Sequence, residues 1–588
     1  MCGIIGSVSG RSLLNKSIVD TLFHRGPDSG NLWQDSKGKT VFGHRRLSII
    51  DLAEAANQPF FSISGRYVMV YNGEVYNYRD LVSKNSLRLK TQSDTEALLE
   101  FLVQEGFDQI TQLNGMFALA IYDKETDEIH LFRDRLGIKP LYYYHDGNRF
   151  AFASELPALK ELIGDVEINQ DVIPLFLHRG YIPEPYTFYK NIYKFPAGAY
   201  GLYKNGKLTI KKYWRPEDHI TETVLHSEAQ VLQKVEELLR DSVQMRLMSD
   251  VPFGTFLSGG ADSGLITAMA ADQLKEPILT FNVSFEDAAF DESPFAKAMA
   301  DHLGAKYHHI HVTRKEVMDN LEQGIDLLGE PFIDSSVFPT MAVSKFAAQH
   351  VKMVLSGDGG DELFMGYGAY TWADRMTKYW PYRKVLTMAL RASGKTRNKR
   401  AANVFDAPSK AELFAHIFSQ EQNLFSRKEI ERISNKEFID PYSPSKKARD
   451  FSPAEEQAFF DLTNYLKDDL LVKVDRASMR YSLEARVPFL DHRLVELSLN
   501  IDPKLKRKNR ESKYLIKKIM ERYYPNELIY RQKWGFSIPL EKWMKEYHPY
   551  RVSAVYEKPY NEINRNYQSG DDYLYNRLYA LKVLSRYI

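Results

Sequence analysis

Residue 2 is the only cysteine in this chain of 588 residues, and its place beside the chain start suggests a particular chemistry. If the initiator methionine is removed, which the small side chain of Cys2 should permit, one residue carries both a thiol and a free α-amino group. Such an amine has a pKa of about 7.7–8.0, so near neutral pH it can accept the proton of the adjacent thiol. A lone cysteine is more often a small apolar residue, but the residues described next favour a nucleophile.

A thiol that attacks an amide also needs an oxyanion site and groups that hold the substrate. Asn72 and Gly73 offer a side-chain amide and a flexible backbone N–H at the end of a predicted strand, 67–71. The guanidinium of Arg46 matches a carboxylate bidentately, and the carboxylate of Asp94 suits an ammonium group. Each feature alone has an ordinary interpretation as a hairpin turn, a surface arginine or the start of a helix. Together they indicate one site that holds an amino acid.

Two glycine-rich loops later in the chain suit a nucleotide. Loop 258–263 reads Ser-Gly-Gly-Ala-Asp-Ser, and loop 356–362 reads Ser-Gly-Asp-Gly-Gly-Asp-Glu. Backbone N–H groups at the start of a helix bind phosphate, and Asp262 suits a magnesium ion that bridges phosphates. One glycine-rich turn would be weak support, but the second loop adds three more carboxylates. We therefore predict a nucleotide phosphate site with Mg²⁺.

The residues up to about 203 form many short stretches that are rich in β-branched and aromatic side chains, with turn residues close by. These stretches predict antiparallel strands at 40–50, 67–71, 117–122, 128–132, 140–144 and 149–153. Apolar residues at helical spacing after Ser93 and Asp94 predict a covering helix. We expect an α+β domain at 2–205.

The pattern changes after the polar segment 204–212. Apolar strands predicted at 251–257, 278–285 and 352–355 alternate with helical stretches, which indicates an α/β domain with a doubly wound parallel sheet. Ligands bind beyond the carboxyl ends of such strands, where both glycine-rich loops would lie. From about Trp372 onward the chain reads as mostly helical. We expect this second domain, with a helical C-terminal elaboration, at 206–588.

Composition excludes several other classes. The 78 basic and 77 acidic residues give a formal charge of +1, so no overall field favours nucleic acid or a membrane surface. One cysteine excludes a disulfide framework within the chain, and a reducing cytoplasm fits best. No apolar run approaches the roughly eighteen residues that span a bilayer. Because the first residues lack the basic start of a secretory signal, we expect the mature N-terminus at or near Cys2.

The first domain resembles the glutaminase domain of class II, N-terminal-nucleophile amidotransferases, which implies their antiparallel sandwich fold. The resemblance is carried, in the same order along the chain, by Cys2-Gly3-Ile4, His24-Arg25-Gly26-Pro27-Asp28, Arg46-Leu47-Ser48, Asn72-Gly73-Glu74, Ser93-Asp94 and Arg133-Asp134-Arg135-Leu136-Gly137. It implies that Cys2 attacks the glutamine side chain and that Asn72 and Gly73 form the oxyanion hole. It also implies that the amino-acid end of glutamine is held by Arg46, Ile50, Asn72, Gly73, Glu74 and Asp94.

The second domain resembles the pyrophosphate-loop ATPases, and specifically the synthetase domain of the asparagine synthetase family. Further matches are 470–476, Leu-Leu-Val-Lys-Val-Asp-Arg, and 483–491, Leu-Glu-Ala-Arg-Val-Pro-Phe-Leu-Asp. The resemblance implies Mg²⁺ on Asp262 and Asp361, a catalytic lysine at Lys513, and an intermediate organised by Asp358. It implies ATP contacts from Leu257, Ser258, Gly259, Gly260, Asp262, Ser263, Val283, Ser356 and Gly357. Several members have glutamate in place of Asp358, and Ser-Ser in place of Ser263-Gly264.

The resemblance implies an enzyme with two sites, in which ammonia from glutamine attacks an aspartyl-adenylate made from ATP and aspartate. The implied substrates are small molecules, and a homodimer is left open. Because most free ammonia is protonated in neutral water, we expect a dry passage between the sites. Three alternatives stay open: an amidotransferase for a carboxylate on a sugar, peptide or secondary metabolite, a relative that closes β-lactam rings, and a catalytically silent regulator. The β-lactam alternative is disfavoured because that reaction has no use for Cys2.

Overall fold

The computed structural model describes residues 2–8, 13–286, 291–393, 396–531 and 552–588. The predicted removal of Met1 therefore concerns a residue outside the described ones. We number the strands in chain order as β1 Gly3–Val8, β2 Ser29–Gln34, β3 Thr40–Arg46, β4 Phe60–Phe61, β5 Tyr67–Val75, β6 Gly115–Asp123, β7 Glu128–Arg133, β8 Tyr142–His145, β9 Phe150–Ala153, β10 Ile192–Lys194, β11 Ala199–Lys204, β12 Lys207–Lys212, β13 Phe253–Phe256, β14 Leu279–Phe285, β15 Lys306–Val312, β16 Met353–Leu355 and β17 Glu484–Arg486.

The first domain is a sandwich of two antiparallel sheets, as predicted. One sheet has the order β10-β8-β9-β1-β3-β2 and the other β12-β11-β7-β6-β5-β4. Apolar side chains from both inner faces form the core between them, among them Ile4, Phe42, Val68 and Leu131. Helices cover the outer faces, so the four-layer arrangement confirms the α+β fold.

Several predicted elements end at other residues than expected. The strand predicted at 67–71 continues to Val75, so Asn72 and Gly73 lie inside a strand and not at its end. The strand predicted at 40–50 stops at Arg46, where the chain turns away from the sheet. The covering helix begins as expected, because the hydroxyl of Ser93 accepts the backbone N–H of Glu96 at 3.2 Å.

The boundary expected at residues 205 and 206 falls in the turn of a β-hairpin. Strand β12 pairs with β11 in the register that joins Ala199 to Lys212 and Lys204 to Lys207. The segment 204–212 reads as a polar linker because β12 alternates exposed and half-buried residues at the sheet edge. The sheet of the first domain thus extends to Lys212.

The second domain has a parallel sheet with the order β15-β14-β13-β16-β17. In chain order this is 3-2-1-4-5, so the winding direction reverses between β13 and β16. Parallel pairing brings the carboxyl ends of these two strands together, and the crevice at such a reversal is the usual ligand site. The doubly wound fold is confirmed, and both glycine-rich loops start at the same edge. Strand β17 was not predicted.

Helices of the described residues follow the predicted distribution. Those of the first domain are Lys16–Asp20, Tyr78–Lys84, Asp94–Glu105, Leu156–Ile163 and Ile173–Arg179. Those that flank the parallel sheet are Glu228–Arg246, Ala261–Asp272, Ser293–His302, Arg314–Asp319, Leu321–Asp326, Val337–Ala347 and Gly360–Phe364.

The C-terminal part is mostly helical, as expected. It comprises Ala369–Lys378, Arg383–Ala392, Thr396–Phe405, Leu413–Glu421, Arg427–Ser434, Pro453–Phe460, the π-helical Asp461–Leu470, Leu471–Met479, His492–Ser498, Pro503–Lys506, Tyr514–Met520, Asn526–Ile529, Ala554–Gln568 and Tyr575–Tyr587. Within the described ranges, no helix combines the length and apolar character that crossing a bilayer requires.

The two domains meet through buried ion pairs. Arg25, fully buried in the first domain, lies 2.8 Å from both Glu155 and Asp475. Arg476, on the same helix as Asp475, lies 2.5 Å from Glu155. Loss of one partner would leave a buried charge without compensation, which typically costs about 3–5 kcal/mol. These pairs therefore hold the helix Leu471–Met479 in one position against the first domain.

Candidate active sites

Cys2 lies immediately before β1 and is buried, with 7% of its surface exposed. Its backbone N–H donates to Oδ1 of Asn72 at 3.0 Å, and its carbonyl accepts Nε of Arg25 at 3.0 Å. Burial raises the pKa of the Cys2 thiol, while a backbone hydrogen bond from Leu47 and the charge of Arg46 oppose that rise. The two hydrogen bonds therefore fix the backbone of Cys2. Its thiol, whose pKa is raised, needs a nearby base in order to ionise.

Asn72 is placed by β5 so that one end of its side chain holds Cys2 and the other is unused. Its Nδ2 group is buried and has no hydrogen-bond partner among the described residues. Buried donors are almost always paired, so this group suits an acceptor that arrives with a ligand. Gly73 follows, and a Cβ there would lie 2.2 Å from the carbonyl oxygen of Met116 on β6. The close approach of the two strands therefore requires glycine.

Arg46 ends β3 and is surrounded by the segment after it. Its guanidinium donates to the carbonyl of Ala53 at 2.9 Å, to Oδ1 of Asn57 at 2.9 Å and to the carbonyl of Ile50 at 3.4 Å, and also contacts the carbonyl of Asp51. Arg46 therefore stabilises the conformation of segment 50–57. This role of Arg46 was not predicted. Arg46 and Ile50, both of which the resemblance assigns to glutamine binding, are therefore neighbours.

Asp94 is the first residue of its helix and faces β5. Its Oδ2 accepts the hydroxyl of Tyr71 at 2.8 Å and the backbone N–H of Val75 at 3.1 Å. Burial raises the pKa of Asp94, and these two hydrogen bonds oppose the rise. The bonds attach Asp94 to the strand that carries Asn72, Gly73 and Glu74.

Glu74 is buried, and a residue of the second domain reaches it. Nη2 of Arg486 on β17 lies 3.4 Å from Oε1 of Glu74, whereas Oε2 has no hydrogen-bond partner among the described residues. Burial, Glu484 and Asp94 together raise the pKa of Glu74 well above its usual range, and Arg486 opposes this. A cationic ligand would favour the ionised form in the same way.

The second site is a cavity of about 350 Å³ at the carboxyl ends of β13 and β16, within the usual size of ligand pockets. The predicted residues that line it are Leu257, Ser258, Gly260, Asp262, Ser263, Val283, Ser356, Gly357, Asp358 and Asp361. Gly259 is not part of the lining, and its carbonyl instead accepts Nη2 of Arg531 at 2.5 Å.

The two glycine-rich loops touch each other. A Cβ on Gly357 would lie 2.7 Å from the backbone nitrogen of Ser263, and one on Gly360 would lie 2.4 Å from Oδ1 of Asp262. Glycine is therefore needed at both positions for the loops to approach. Within the second loop the hydroxyl of Ser356 donates to Asp358, whose pKa is raised by burial.

Lys513 reaches this site from a distant part of the chain. Its Nζ contacts Oδ2 of Asp262 and lies 2.5 Å from Oδ1 of Asp361. Burial lowers the pKa of Lys513, but the two carboxylates outweigh it, so the net pKa is raised and the ammonium stays charged. Because one cation contacts both carboxylates, Asp262 and Asp361 are close enough to share Mg²⁺, which takes one or two carboxylates together with phosphate oxygens and water. The donor set fits this metal.

Thirteen further residues line the cavity without having been given an ATP, Mg²⁺ or catalytic role from the sequence, among them Ser336, Glu362, Tyr367, Tyr465 and Lys473. Lys473 donates to Asp334 and to Ser336, each at 2.6 Å. The sequence feature that could have identified Lys473 is its position between two valines in a helical stretch of buried residues. Burial, together with the charge of Asp361, raises the pKa of Glu362 to about 7.

Comparisons with known proteins match each of the two domains. The profile of the asparagine synthase family matches residues 234–571, and that of the glutamine amidotransferase domain matches residues 1–214. The chain is 31% identical to asparagine synthetase (glutamine-hydrolyzing) 1 of Bacillus subtilis, over 93% of this chain and 88% of that protein. It is 34% identical to putative asparagine synthetase (glutamine-hydrolyzing) 2 of Methanocaldococcus jannaschii, over 82% and 98%. Amidase chry2 of Gibberella zeae is 26% identical, over 89% and 85%. This chain therefore belongs to the asparagine synthase family and includes a glutamine amidotransferase domain.

Proposed function

We propose that this protein makes asparagine from aspartate, with glutamine as the nitrogen donor and ATP as the source of energy. The observation that carries the proposal is the presence in one chain of two complementary sites. One has a thiol beside an unused buried amide donor, and the other has two phosphate-type loops at the reversal point of a parallel sheet. The family membership of the chain supports the same reading.

At the first site, Cys2 attacks the side-chain amide of glutamine after its thiol loses a proton to the α-amino group exposed by removal of Met1. Nδ2 of Asn72 and the backbone N–H of Gly73 stabilise the oxyanion. Arg46 and Glu74 hold the carboxylate and the ammonium of glutamine, and Asp94 supports the latter. Water then releases glutamate from the thioester, so the products are glutamate and ammonia.

At the second site, a carboxylate oxygen of aspartate attacks the α-phosphate of ATP and pyrophosphate leaves. Ammonia then displaces AMP from the aspartyl-adenylate, and asparagine forms. Asp262 and Asp361 would hold Mg²⁺, which neutralises phosphate charge when it is bound. Lys513 supplies a second cation beside the phosphates, and Asp358 contacts the intermediate during amination. We also propose a cytoplasmic location, and a homodimer stays a prediction.

The variant Cys2→Ala tests whether glutamine hydrolysis and asparagine synthesis take place at separate sites. We expect the variant to lose glutamine-dependent asparagine formation and glutamate release, because no thioester can form. Synthesis with added ammonium chloride should stay within about twofold of the unsubstituted protein, because the second site is untouched. Asparagine, glutamate and pyrophosphate are measured together. Glutamate release by the variant would refute Cys2 as the nucleophile, and a failure of the unsubstituted protein to form asparagine would refute the proposed acceptor.

A further inference from the structure

One helical segment of the second domain carries a concentration of positive charge that neither site uses. The sequence from Arg375 to Arg400 contains nine basic residues and no acidic one. Over the rest of the chain, acidic side chains outnumber basic ones. The near-neutral total therefore conceals a strongly basic segment, which forms the end of helix Ala369–Lys378, the whole of helix Arg383–Ala392 and the start of helix Thr396–Phe405.

The outer side of helix Arg383–Ala392 is apolar. Tyr382, directly before the helix, is 65% exposed, Val385 is 62% exposed and Met388 is 65% exposed. Steps of three residues place them along one side of the helix, as an apolar stripe. They are three of the five most exposed large apolar side chains in the described part of the chain. Single exposed apolar residues are ordinary, but a group on one face indicates an interaction surface.

The opposite side of the same helix is already used for packing. Leu386 and Leu390 are partly buried against the apolar cluster that contains Met376 of the preceding helix. These contacts fix the rotation of the helix about its own axis. Val385 and Met388 therefore point away from the domain, and the apolar stripe stays exposed to solvent.

Basic side chains border the apolar stripe. Lys384 and Arg391 stand four residues before and three residues after Met388, so both lie beside it on the helix surface. Arg391 is 52% exposed and pairs with Asp406. Lys384 is exposed and has no ion-pair partner among the described residues. The face therefore offers positive charge next to apolar surface.

Exposed tyrosines stand at the N-terminal end of this face. Tyr379 is 40% exposed, and its carbonyl accepts the backbone N–H of Tyr382 at 3.0 Å in the turn before the helix. The ammonium of Lys378 lies 5.3 Å from the centre of the Tyr379 ring. Tyrosine is enriched at membrane–water interfaces, where its ring is in apolar surroundings and its hydroxyl reaches water.

This combination fits an anionic phospholipid surface better than a nucleic acid. Lysine and arginine attract lipid phosphates, and apolar side chains on the same face enter the boundary between headgroups and acyl chains. A nucleic acid would bind the basic groups through its own phosphates, but it would leave Val385 and Met388 in water.

We propose that helix Arg383–Ala392 is a binding face for anionic phospholipids. The apolar stripe enters the headgroup region, and Lys384 and Arg391 contact lipid phosphates. The protein then works while it is attached to a membrane surface. The inference is independent of the proposed function, because none of these residues belongs to the glutamine site or to the cavity of the second domain.

Binding of the full chain to phospholipid vesicles tests the proposal. One set of vesicles contains phosphatidylcholine alone, and the other includes about 30% phosphatidylglycerol, which is anionic. The protein that sediments with the vesicles is measured. We expect at least about tenfold tighter binding to the anionic vesicles. Binding should weaken as NaCl is raised from about 0.05 to 0.5 M, because salt screens the attraction.

Two double variants separate the apolar and the basic contribution. Val385→Ser with Met388→Ser shortens the apolar stripe and should weaken binding to anionic vesicles at least about tenfold. Lys384→Gln with Arg391→Gln keeps the stripe and should weaken binding about tenfold at low salt. All four side chains are exposed, so the melting temperature should change little. If a double variant does not fold, Val385→Ser and Lys384→Gln alone decide the question.

Val555→Ser with Lys315→Gln is the matched control. Val555 is 71% exposed and Lys315 83% exposed, and neither lies in the basic segment. This variant should bind vesicles like the unsubstituted protein.

Three outcomes would overturn the proposal. Equal binding to neutral and anionic vesicles would exclude recognition of anionic lipid. Unchanged binding in either double variant would exclude this helix as the contact. Binding of a double-stranded DNA fragment without any binding of vesicles would assign the basic segment to nucleic acid. Asparagine formation in solution is measured on the same proteins, and its failure would refute the proposed function without affecting the lipid result.

Discussion

The second site concentrates charge on a few residues that come from distant parts of the chain. Lys513 contacts Asp262 and Asp361, so the charge of each partly exposed carboxylate is compensated by the same ammonium group. The same two carboxylates are the groups that Mg²⁺ would use. The ammonium of Lys513 therefore reduces the repulsion between the two acidic loops.

We expect Asp262→Asn to reduce ATP-dependent pyrophosphate release by about a hundredfold or more. A neutral amide oxygen is a weaker magnesium ligand than a charged carboxylate, and it also weakens the ion pair with Lys513. Glutamate release should continue, because Asp262 has no part in the glutamine site. Both products are followed in the same reaction.

Asp272→Asn provides the comparison for that variant. Asp272 is the last residue of the helix that carries Asp262 in its first turn, is 52% exposed and pairs with Arg240. Surface pairs of this kind contribute little, so pyrophosphate release should change less than twofold. Equal losses in the two variants would mean that charge on the helix, and not a metal-binding carboxylate, is responsible.

At the scale of elements, strand β17 connects the two sites. Its Arg486 lies 3.4 Å from Glu74 of the glutamine site. The carbonyl of the same residue accepts the backbone N–H of Ser356 at 2.8 Å, at the start of the second glycine-rich loop. Glu484 on the same strand contacts Nε of Arg486 at 2.5 Å and keeps the guanidinium in place. A three-residue strand therefore borders both sites.

We expect Arg486→Met to raise KM for glutamine about tenfold. Arg486 opposes the rise in the pKa of Glu74, so its loss should raise that pKa further and leave more of the carboxyl neutral. A neutral carboxyl holds an ammonium poorly. The defect should shrink as pH increases, because a higher pH ionises Glu74. Glutamate release measured between about pH 6.5 and 9 tests this expectation.

Two controls accompany the Arg486 variant. Synthesis from ammonium chloride reports whether the second domain is intact. Arg391→Met removes a 52% exposed arginine that pairs with Asp406 and should leave KM unchanged. An unchanged KM for glutamine in Arg486→Met would contradict the role given to Glu74.

At the scale of the whole molecule, the domains share an apolar layer beside their buried ion pairs. One continuous cluster contains Leu47, Met116 and Leu136 from the first domain together with Leu257 and Leu355 from the second. Ammonia that crossed such a layer would stay unprotonated, whereas ammonia released into water at neutral pH would mostly become ammonium. The layer is therefore the place where a dry passage is expected.

We expect Leu136→Trp to lower the amount of asparagine formed per glutamate released. A larger side chain in this layer would narrow a passage while Cys2 and its partners stay in place. Leu136→Ala, which removes volume, should keep the ratio near that of the unsubstituted protein. Overpacking typically costs about 1–3 kcal/mol, so melting temperatures are compared. Equal loss of glutamate and asparagine in Leu136→Trp would argue against the passage.

The sequence alone predicted the class of each domain and identified candidate residues for catalysis and binding. Alternation of strand and helix, the serine before Asp94 and the loops after apolar strands are local patterns, and local patterns decide local structure. The residues at which strands and turns end were harder to predict from the sequence. The continuation of β5 to Val75 depends on its pairing with β6, and the hairpin at 204–207 depends on the sheet edge that it joins.

Only the tertiary structure determined which residues far apart in the chain are in contact. Lys513 and Asp262 are separated by 251 positions, and Arg486 reaches Glu74 from another domain. No periodicity or propensity relates such residues, because their distance is set by the order of strands in a sheet and by the packing of two domains. The cavity wall of Lys473 and Glu362 arises in the same way, from helices that meet only after the chain has folded.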